Sequence, residues 1–397
     1  MNNFFVYSDY QVSKISTRFK RYLFERIDWN SRLIGIKGAR GTGKTTLILQ
    51  KMAELGINAP KAVYLTLDDL YFTNHTLTET VESIYKLGGV SVYLDEVHKY
   101  KGWAREIKNL YDRYENLRIV FSGSSIIDIA REEGDLSRRA VLYELFGLSY
   151  REYLEMEAGM KTPRLNLGEI LQSSPLIKNR FPEYFRPLER FADYLEYGYY
   201  PYFRDDYKTY RVRMQQVIRM IVENDLGGIS GYDVRNSHKM LQLLTVVSGS
   251  VPFKPNISKL ADKIGISRNS LLNYLQLLER ARLVNFLYPP NQGISLLQKP
   301  EKLYLQNPNL AFALATEQPD MGSLRETFAL SQLVVDHRIN EPEKGDLLVD
   351  NRLTLEIGGK NKSGNQLSGI EQGHLLTDDL EFPSAGRIPL WMLGLLY

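Results

Sequence analysis

Gly38-Ala39-Arg40-Gly41-Thr42-Gly43-Lys44-Thr45 fits the spacing G-x-x-x-x-G-K-[ST]. In that pattern the backbone N–H groups of a glycine-rich turn curl around phosphate oxygens. The lysine reaches the outer phosphates and the hydroxyl, here Thr45, ligates Mg²⁺, with Thr46 following at the start of a helix. A second run, "VSVYLDEVHK", closes an apolar stretch with Asp95-Glu96. An aspartate at the end of such a strand holds Mg²⁺ through water, and a glutamate after it polarises the water that attacks a γ-phosphate. Paired acids at this place point to hydrolysis and weigh against transfer onto a small molecule. The sequence carries no N-K-x-D base-reading motif, which disfavours a GTPase. The expected ligands are therefore ATP and Mg²⁺, with Lys44 and Glu96 as catalytic groups and Thr45 and Asp95 as metal-binding groups.

Two further signals are weaker. "LRIVFSGSS" ends in polar residues where a γ-phosphate would lie, so Ser122 or Ser124 can orient water, although both are also ordinary turn residues. Ser137-Arg138-Arg139 precedes a later strand. Arg138 or Arg139, acting in the same chain or on a neighbouring copy, can stabilise a phosphoryl transition state; the competing reading is a cation at a helix C-terminus.

These groups need a scaffold that aims a helix N-terminus at an anion. Strand-like runs at Leu33 to Lys37, Ala62 to Leu67, Val90 to Leu94, Leu117 to Phe121 and Val141 to Leu145 alternate with helix-length stretches. That alternation predicts a parallel sheet covered on both faces. Residues 1–30 read as a helical, amphipathic lead-in and 31–150 as the nucleotide-binding α/β domain. Residues 151–245, rich in Tyr and Phe and broken by Pro163, Pro175, Pro182, Pro187 and Pro201, read as a helical region. Residues 246–292 read as a winged helix-turn-helix and 293–397 as a small α/β domain.

The order of phosphate loop, Asp-Glu strand, polar strand end and arginine before the fifth strand resembles that of the AAA+ ATPases. The whole chain is similar to a bacterial and archaeal group of them, predicted ATPases that carry a helix-turn-helix and a C-terminal domain of unknown function similar to restriction-endonuclease folds. The stretches that carry the resemblance are "IKGARGTGKTT", "VYLDEVHK", "FSGSS", "LSRRA", "YLEYGYYP", "KLYLQNPNL", "RETFALSQL" and "LEIGGKNK". Asn307 departs from it, since the group usually shows Asp there. "QLSGIEQG", residues 366–373, superficially matches a transporter signature, but it lies far downstream of the place that motif occupies and is read as chance.

In the helix-turn-helix, Ser258 to Ile264 is expected as one helix and Gly265-Ile266-Ser267 as a tight turn capped by Ser267. Arg268 to Arg280 is the second helix, with Leu271, Leu272, Leu275 and Leu278 inward. Lys263, Arg268, Asn269 and Asn273 are then placed to meet phosphates and base edges of DNA. A rigid packing module is the equal alternative, because a net charge of +3 over the whole chain makes no argument for nucleic acid.

Near the C-terminus, "GDLLVDNRLTLEIGGK" reads as a hairpin. A two-residue loop would mix polar and apolar side chains on each face. A loop of Asp350-Asn351-Arg352 pairs Val349 with Leu353 and Leu347 with Leu355, and sets Asp346 opposite Glu356. Two such carboxylates can hold a second divalent ion. The restriction-nuclease pattern asks for lysine two residues after the glutamate, where Gly358 stands. Lys360 shares its strand parity but lies a pleat further, so the domain is expected to be degenerate, a binding or scaffolding element. Glu326 stands where such folds place a third acid, or is an ordinary helical glutamate.

Composition bounds the rest. With 397 residues the chain is long for one core, and the absence of cysteine excludes disulfides and thiolate metal sites. The apolar run "IPLWMLGLLY" is too short to span a bilayer. A soluble, cytoplasmic ATPase is expected, acting on nucleic acid or serving as a protein-interaction switch, with a homo-oligomer or an unidentified protein as partner.

Overall fold

The computed structural model describes residues 2–56, 62–123, 136, 138–227, 232–249, 252–290, 299–315 and 317–397. They form two compact units, Met1–Gly147 and Leu148–Tyr397.

The first unit is a five-stranded, all-parallel sheet. Its strands are β1 (Leu33–Lys37), β2 (Ala62–Thr66), β3 (Ser91–Asp95), β4 (Arg118–Gly123) and β5 (Val141–Glu144), in the spatial order β2-β3-β4-β1-β5. Each expected strand is present. Helices α1 (Asn2–Ser13), α2 (Tyr22–Arg26), α3 (Lys44–Leu55), α4 (Leu77–Lys86) and α5 (Trp103–Arg113) accompany the sheet. The strands are apolar because both faces are covered: Val63, Leu65, Val92, Leu94, Ile119 and Phe121 meet Val81 and Ile84 of α4 and Trp103, Ile107 and Leu110 of α5 in one core. The edge strand β2 does not leave its backbone open, since the Tyr64 N–H donates to Ser8 Oγ of α1 at 3.0 Å.

The second unit opens with α6 (Tyr150–Ala158), α7 (Leu167–Leu171), α8 (Phe191–Tyr197), α9 (Tyr207–Met220) and α10 (Ser237–Ser248). Then come α11 (Ile257–Ile264), a turn with Gly265 at φ 69°, and α12 (Arg268–Arg280), whose N-cap Ser267 accepts the Ser270 N–H at 3.1 Å. Leu271, Leu272, Leu275 and Leu278 are buried as the periodicity requires. Strand β6 (Val284–Leu287) pairs antiparallel with β7 (Lys302–Leu305), and α13 (Pro308–Leu314) and α14 (Met321–Leu333) follow. The chain ends in a mixed sheet of β8 (Ile339–Asn340), β9 (Leu347–Val349), β10 (Leu353–Gly358), β11 (Gly373–Thr377) and β12 (Arg387–Pro389), ordered β12-β11-β10-β9-β8. Its hairpin has the longer loop: Val349 pairs with Leu353 and Leu347 with Leu355, while Asp350 and Asn351 take positive φ.

Two of the resemblance stretches turn out to hold each other. Asn309, in "QNPNL", is buried and accepts the Tyr199 N–H at 2.8 Å and the Tyr210 hydroxyl at 2.6 Å, while its amide donates to the Tyr194 and Leu195 carbonyls. Asn307 caps α13 through the Leu310 N–H and donates to the Tyr200 hydroxyl at 3.1 Å and to Gln306 Oε1 at 2.7 Å. An aspartate could make the cap but not those two donations. Among the described residues no helix is long and apolar enough to cross a membrane.

Candidate functional site

The phosphate loop follows β1 directly, and its glycines are dictated by space and backbone. A Cβ on Gly38 would stand 2.3 Å from the Leu145 carbonyl oxygen, and Gly41 and Gly43 adopt φ of 84° and 96°. Lys44 begins α3, and its buried ammonium donates to the Gly38 and Ala39 carbonyls, 2.9 Å each. The Thr42 side chain, also buried, ties the turn by donating to Ala39 O at 2.9 Å. Arg40 is half-buried and Thr46 exposed.

Asp95 gathers the hydroxyls. Thr45 Oγ1 donates to Asp95 Oδ2 at 2.6 Å, the Tyr64 hydroxyl to the same oxygen at 2.9 Å, and Ser122 Oγ to Oδ1. Parallel strand order makes this convergence possible, because Thr66, Asp95 and Ser122 all lie toward the C-terminal ends of their strands, facing the helix N-terminus. Burial, followed by the Asp95 charge, holds the Tyr64 phenol well above its ordinary pKa, so it remains a donor. A hydroxyl and a carboxylate in direct contact are an oxygen donor set of the kind Mg²⁺ takes together with phosphate oxygens, and Thr45 and Asp95 therefore fit the ion.

Glu96 sits in the left-handed region at φ 54°, a conformation that costs a non-glycine residue on the order of 1–3 kcal/mol. Its N–H donates to Asp95 Oδ1 at 3.1 Å, and its Oε2 lies 3.5 Å from His98 Nε2. Burial first, then the charges of Lys99, Lys44 and Arg40, lower the His98 pKa to about 3. The imidazole is neutral at physiological pH, so it contacts Glu96 as a dipole and not as a cation. Of the two arginines, Arg138 is exposed, whereas Arg139 makes a bidentate pair with Asp112 of α5 at 2.8 and 2.9 Å. Ser124 and Ser137 fall outside the described residues.

Tyr64, His98 and Arg21 were not singled out by sequence reasoning. The buried guanidinium of Arg21 donates to the Thr42 carbonyl at 2.5 Å and to the Phe146 and Gly147 carbonyls at 2.8 and 2.7 Å. Only His98, two residues after the acidic pair, lay close enough to a motif to have been suspected.

In the second unit, Lys263, Arg268 and Asn269 are exposed and Asn273 is half-buried. Asp346 and Glu356 lie on neighbouring strands: the Asp346 N–H donates to Leu355 O at 2.9 Å, and Asp346 Oδ2 accepts the Ile357 N–H at 2.7 Å. The expectation about lysine requires correction. Lys362, not Lys360, reaches Glu356, with Nζ 2.6 Å from Oε1. Strand parity does not carry past Gly358, because β10 ends there and the chain turns.

Residues 30–154 match the model of a family described as an AAA domain, and residues 188–320 match a domain of unknown function. The second match covers the helical region from residue 188 on, the helix-turn-helix and the β6–β7 ribbon, and stops short of the C-terminal sheet. The uncharacterized protein MJ1637 of Methanocaldococcus jannaschii is 25% identical over 387 residues, 88% of this chain and 81% of that protein. Solved structures with some likeness include AMPPCP-bound DnaA from Aquifex aeolicus, at 15% identity and TM-score 0.29 over 65% of this chain and 85% of that one. The S. cerevisiae Hsp104-ADP complex is 16% identical at TM-score 0.31, over 69% of this chain and 41% of that one; likeness at such scores carries no argument. With the strand order, the phosphate loop and the acidic strand end in place, the match over 30–154 makes that stretch an AAA domain.

Proposed function

We propose that the chain is an ATP-hydrolysing switch. The observation that carries this reading is Asp95 Oδ2 within 2.6 Å of Thr45 Oγ1, directly beside the loop that presents Lys44. Lys44 leaves the Gly38 and Ala39 carbonyls for the phosphates, and the loop N–H groups cradle them. Thr45 and Asp95 would hold Mg²⁺, which supplies neutralising charge when bound. Glu96 polarises the attacking water and accepts its proton, with the neutral His98 orienting the carboxylate. Ser122 keeps Asp95 in place from the opposite oxygen. Arg138 is the better candidate to act on a neighbouring copy, since Arg139 is held by Asp112.

The output has two readings. Exposed Lys263, Arg268 and Asn269, within residues 257–282 where Lys259, Lys263, Arg268, Arg280 and Arg282 outnumber Asp262 and Glu279, support action on DNA. Without nucleic-acid contact, the same helices serve a protein-interaction switch. ATP turnover measured across single- and double-stranded DNA and RNA at several salt concentrations decides between them. Stimulation that falls steeply with salt supports the first, and turnover indifferent to every nucleic acid supports the second.

A further inference from the structure

The loop between β9 and β10 is clasped from both sides. The Asp350 N–H donates to the Arg338 carbonyl at 2.8 Å, and Asp350 Oδ1 accepts the Arg338 N–H at 2.9 Å. The other carboxylate oxygen, Oδ2, lies 2.8 Å from His337 Nδ1. Both oxygens of Asp350 are therefore engaged, and the imidazole is fixed through one nitrogen with Nε2 left over. Asp350 and Asn351 hold φ of 52° and 55°, a backbone that Asp and Asn accept more readily than other side chains, so this turn is set before any ligand arrives.

Beside the His337–Asp350 dyad a cavity of about 280 Å³ opens within the second unit. His337, Arg352 and His374 line it together with Leu167 and Leu171 of α7 and Leu353 of β10. His374 of β11 pairs in register with Leu355, so it lies on the sheet face opposite to Glu356. Neither the His374 imidazole nor the Arg352 guanidinium makes a hydrogen bond or ion pair among the described residues. Burial lowers the His374 pKa, so near neutrality its ring is uncharged and offers one donor and one acceptor. Leu171 and Leu353 are only half-buried and leave apolar surface in the cavity wall. Among the described residues no group of three His, Asp or Glu side chains could hold a metal ion, so these imidazoles are not a metal centre.

The negative charge of Asp350 is already matched by its two donors, whereas that of Arg352 is unmatched. A guanidinium and two imidazoles over leucine side chains ask for an anion on an apolar body. Phosphate suits them better than carboxylate. The second ionisation of a phosphate monoester lies near pH 6, so its oxygens come with or without a proton and meet an imidazole nitrogen as donor or as acceptor.

We propose that this cavity binds a small phosphate monoester carried on an apolar or aromatic body. Arg352 takes the phosphate charge, His337 Nε2 and His374 meet further phosphate oxygens, Asp350 holds His337 in place, and the three leucines cover the body. The inference goes beyond the ATPase reading and does not need it.

The test titrates the full chain, carrying isotope-labelled histidine, with phenyl phosphate, inorganic phosphate and benzyl alcohol, and follows the imidazole signals by NMR. The chain has five histidines, and His337→Gln and His374→Gln assign the two that matter. Because phosphate also suits the loop at Lys44, the titration is repeated in Lys44→Ala, where the His337 and His374 responses should be unchanged. Phenyl phosphate is expected to shift both signals with half-saturation near about 1 mM, inorganic phosphate about tenfold more weakly, and benzyl alcohol not at all. Arg352→Gln, on an exposed loop, should keep the parental melting temperature and weaken phenyl phosphate about tenfold or more. Asp350→Asn keeps a residue type that accepts the turn, and should move the His337 signal before any ligand is added. The proposal is overturned if neither signal moves by about 20 mM phenyl phosphate, some twenty times the expected half-saturation. It is equally overturned if Arg352→Gln responds like the parent, or if inorganic phosphate or benzyl alcohol matches phenyl phosphate.

Discussion

In the first unit, the groups proposed to act on ATP lie within a few residues of each other in two short runs. Around Glu356, by contrast, three side chains come from the approach to β9, β10 and the turn beyond it. The phosphate loop is specified locally: the room at Gly38 and the positive φ at Gly41 and Gly43 permit little else once β1 and α3 flank them. The carboxylate–lysine cluster is specified by register and by a turn, so the same arrangement can be reached by more than one sequence. A contiguous motif shows its function in its letters, whereas an assembled site shows it only after folding.

The largest expected effects fall on the contiguous site. Lys44→Ala should weaken ATP binding by about a thousandfold, whereas Glu96→Gln should bind within a few-fold of the parent and lose turnover by about a hundredfold or more. Equilibrium binding of a fluorescent ATP analogue and phosphate release separate the two. Equal loss of binding in both would break the division of roles.

Next comes stability of the second unit, where Asn309 stands to the buried tyrosines as Thr42 stands to the phosphate loop. Asn309→Ala removes bonds to Tyr199, Tyr210, Tyr194 and Leu195, and should lower unfolding free energy by about 3 kcal/mol in denaturant titration. Nucleotide affinity should be retained below the new transition. A loss under about 0.5 kcal/mol would mean that these bonds are exchanged for water at little cost.

Tyr64→Phe sharpens the comparison from the other side, because it deletes one donor to Asp95 and leaves the motif letters intact. The lost hydrogen bond is worth about 1 kcal/mol, so turnover or the Mg²⁺ half-saturation should change by about fivefold. An unchanged magnesium titration would reduce Tyr64 to packing.

The smallest effect is a pH slope. His98, lowered to about 3, does not titrate near neutrality, but Glu279 of α12 is pushed up to about 7 by burial, against the pull of Arg282. A carboxyl whose folded pKa lies above its unfolded value binds more protons when folded, so its contribution to stability falls as pH rises from about 4.5 through 7. Glu279→Gln should flatten thermal stability across that window. A slope equal to the parent's would assign it to another group.

The sheet was legible because both of its faces are buried and its strands are continuously apolar. The hairpin register was legible because only one loop length put Leu347, Val349, Leu355 and Leu353 on one face. Lys362 was not legible, since its approach depends on a turn whose sequence, Gly-Lys-Asn-Lys, offers two lysines and no periodicity to choose between them. Tyr64 and Arg21 were hidden for a different reason. An alternating tyrosine in a strand and an arginine in an amphipathic lead-in look the same whether they face solvent or a buried carboxylate or carbonyl.

Arg21 also decides where the first unit can be cut. The family match begins at residue 30, and a fragment started there would keep every letter of the phosphate loop. It would nevertheless strip the guanidinium from the carbonyls of Thr42, Phe146 and Gly147, removing a charged donor at both the loop and the end of the unit. The smallest autonomous nucleotide-binding fragment therefore starts upstream of Arg21, and sequence similarity alone would place its first residue too late.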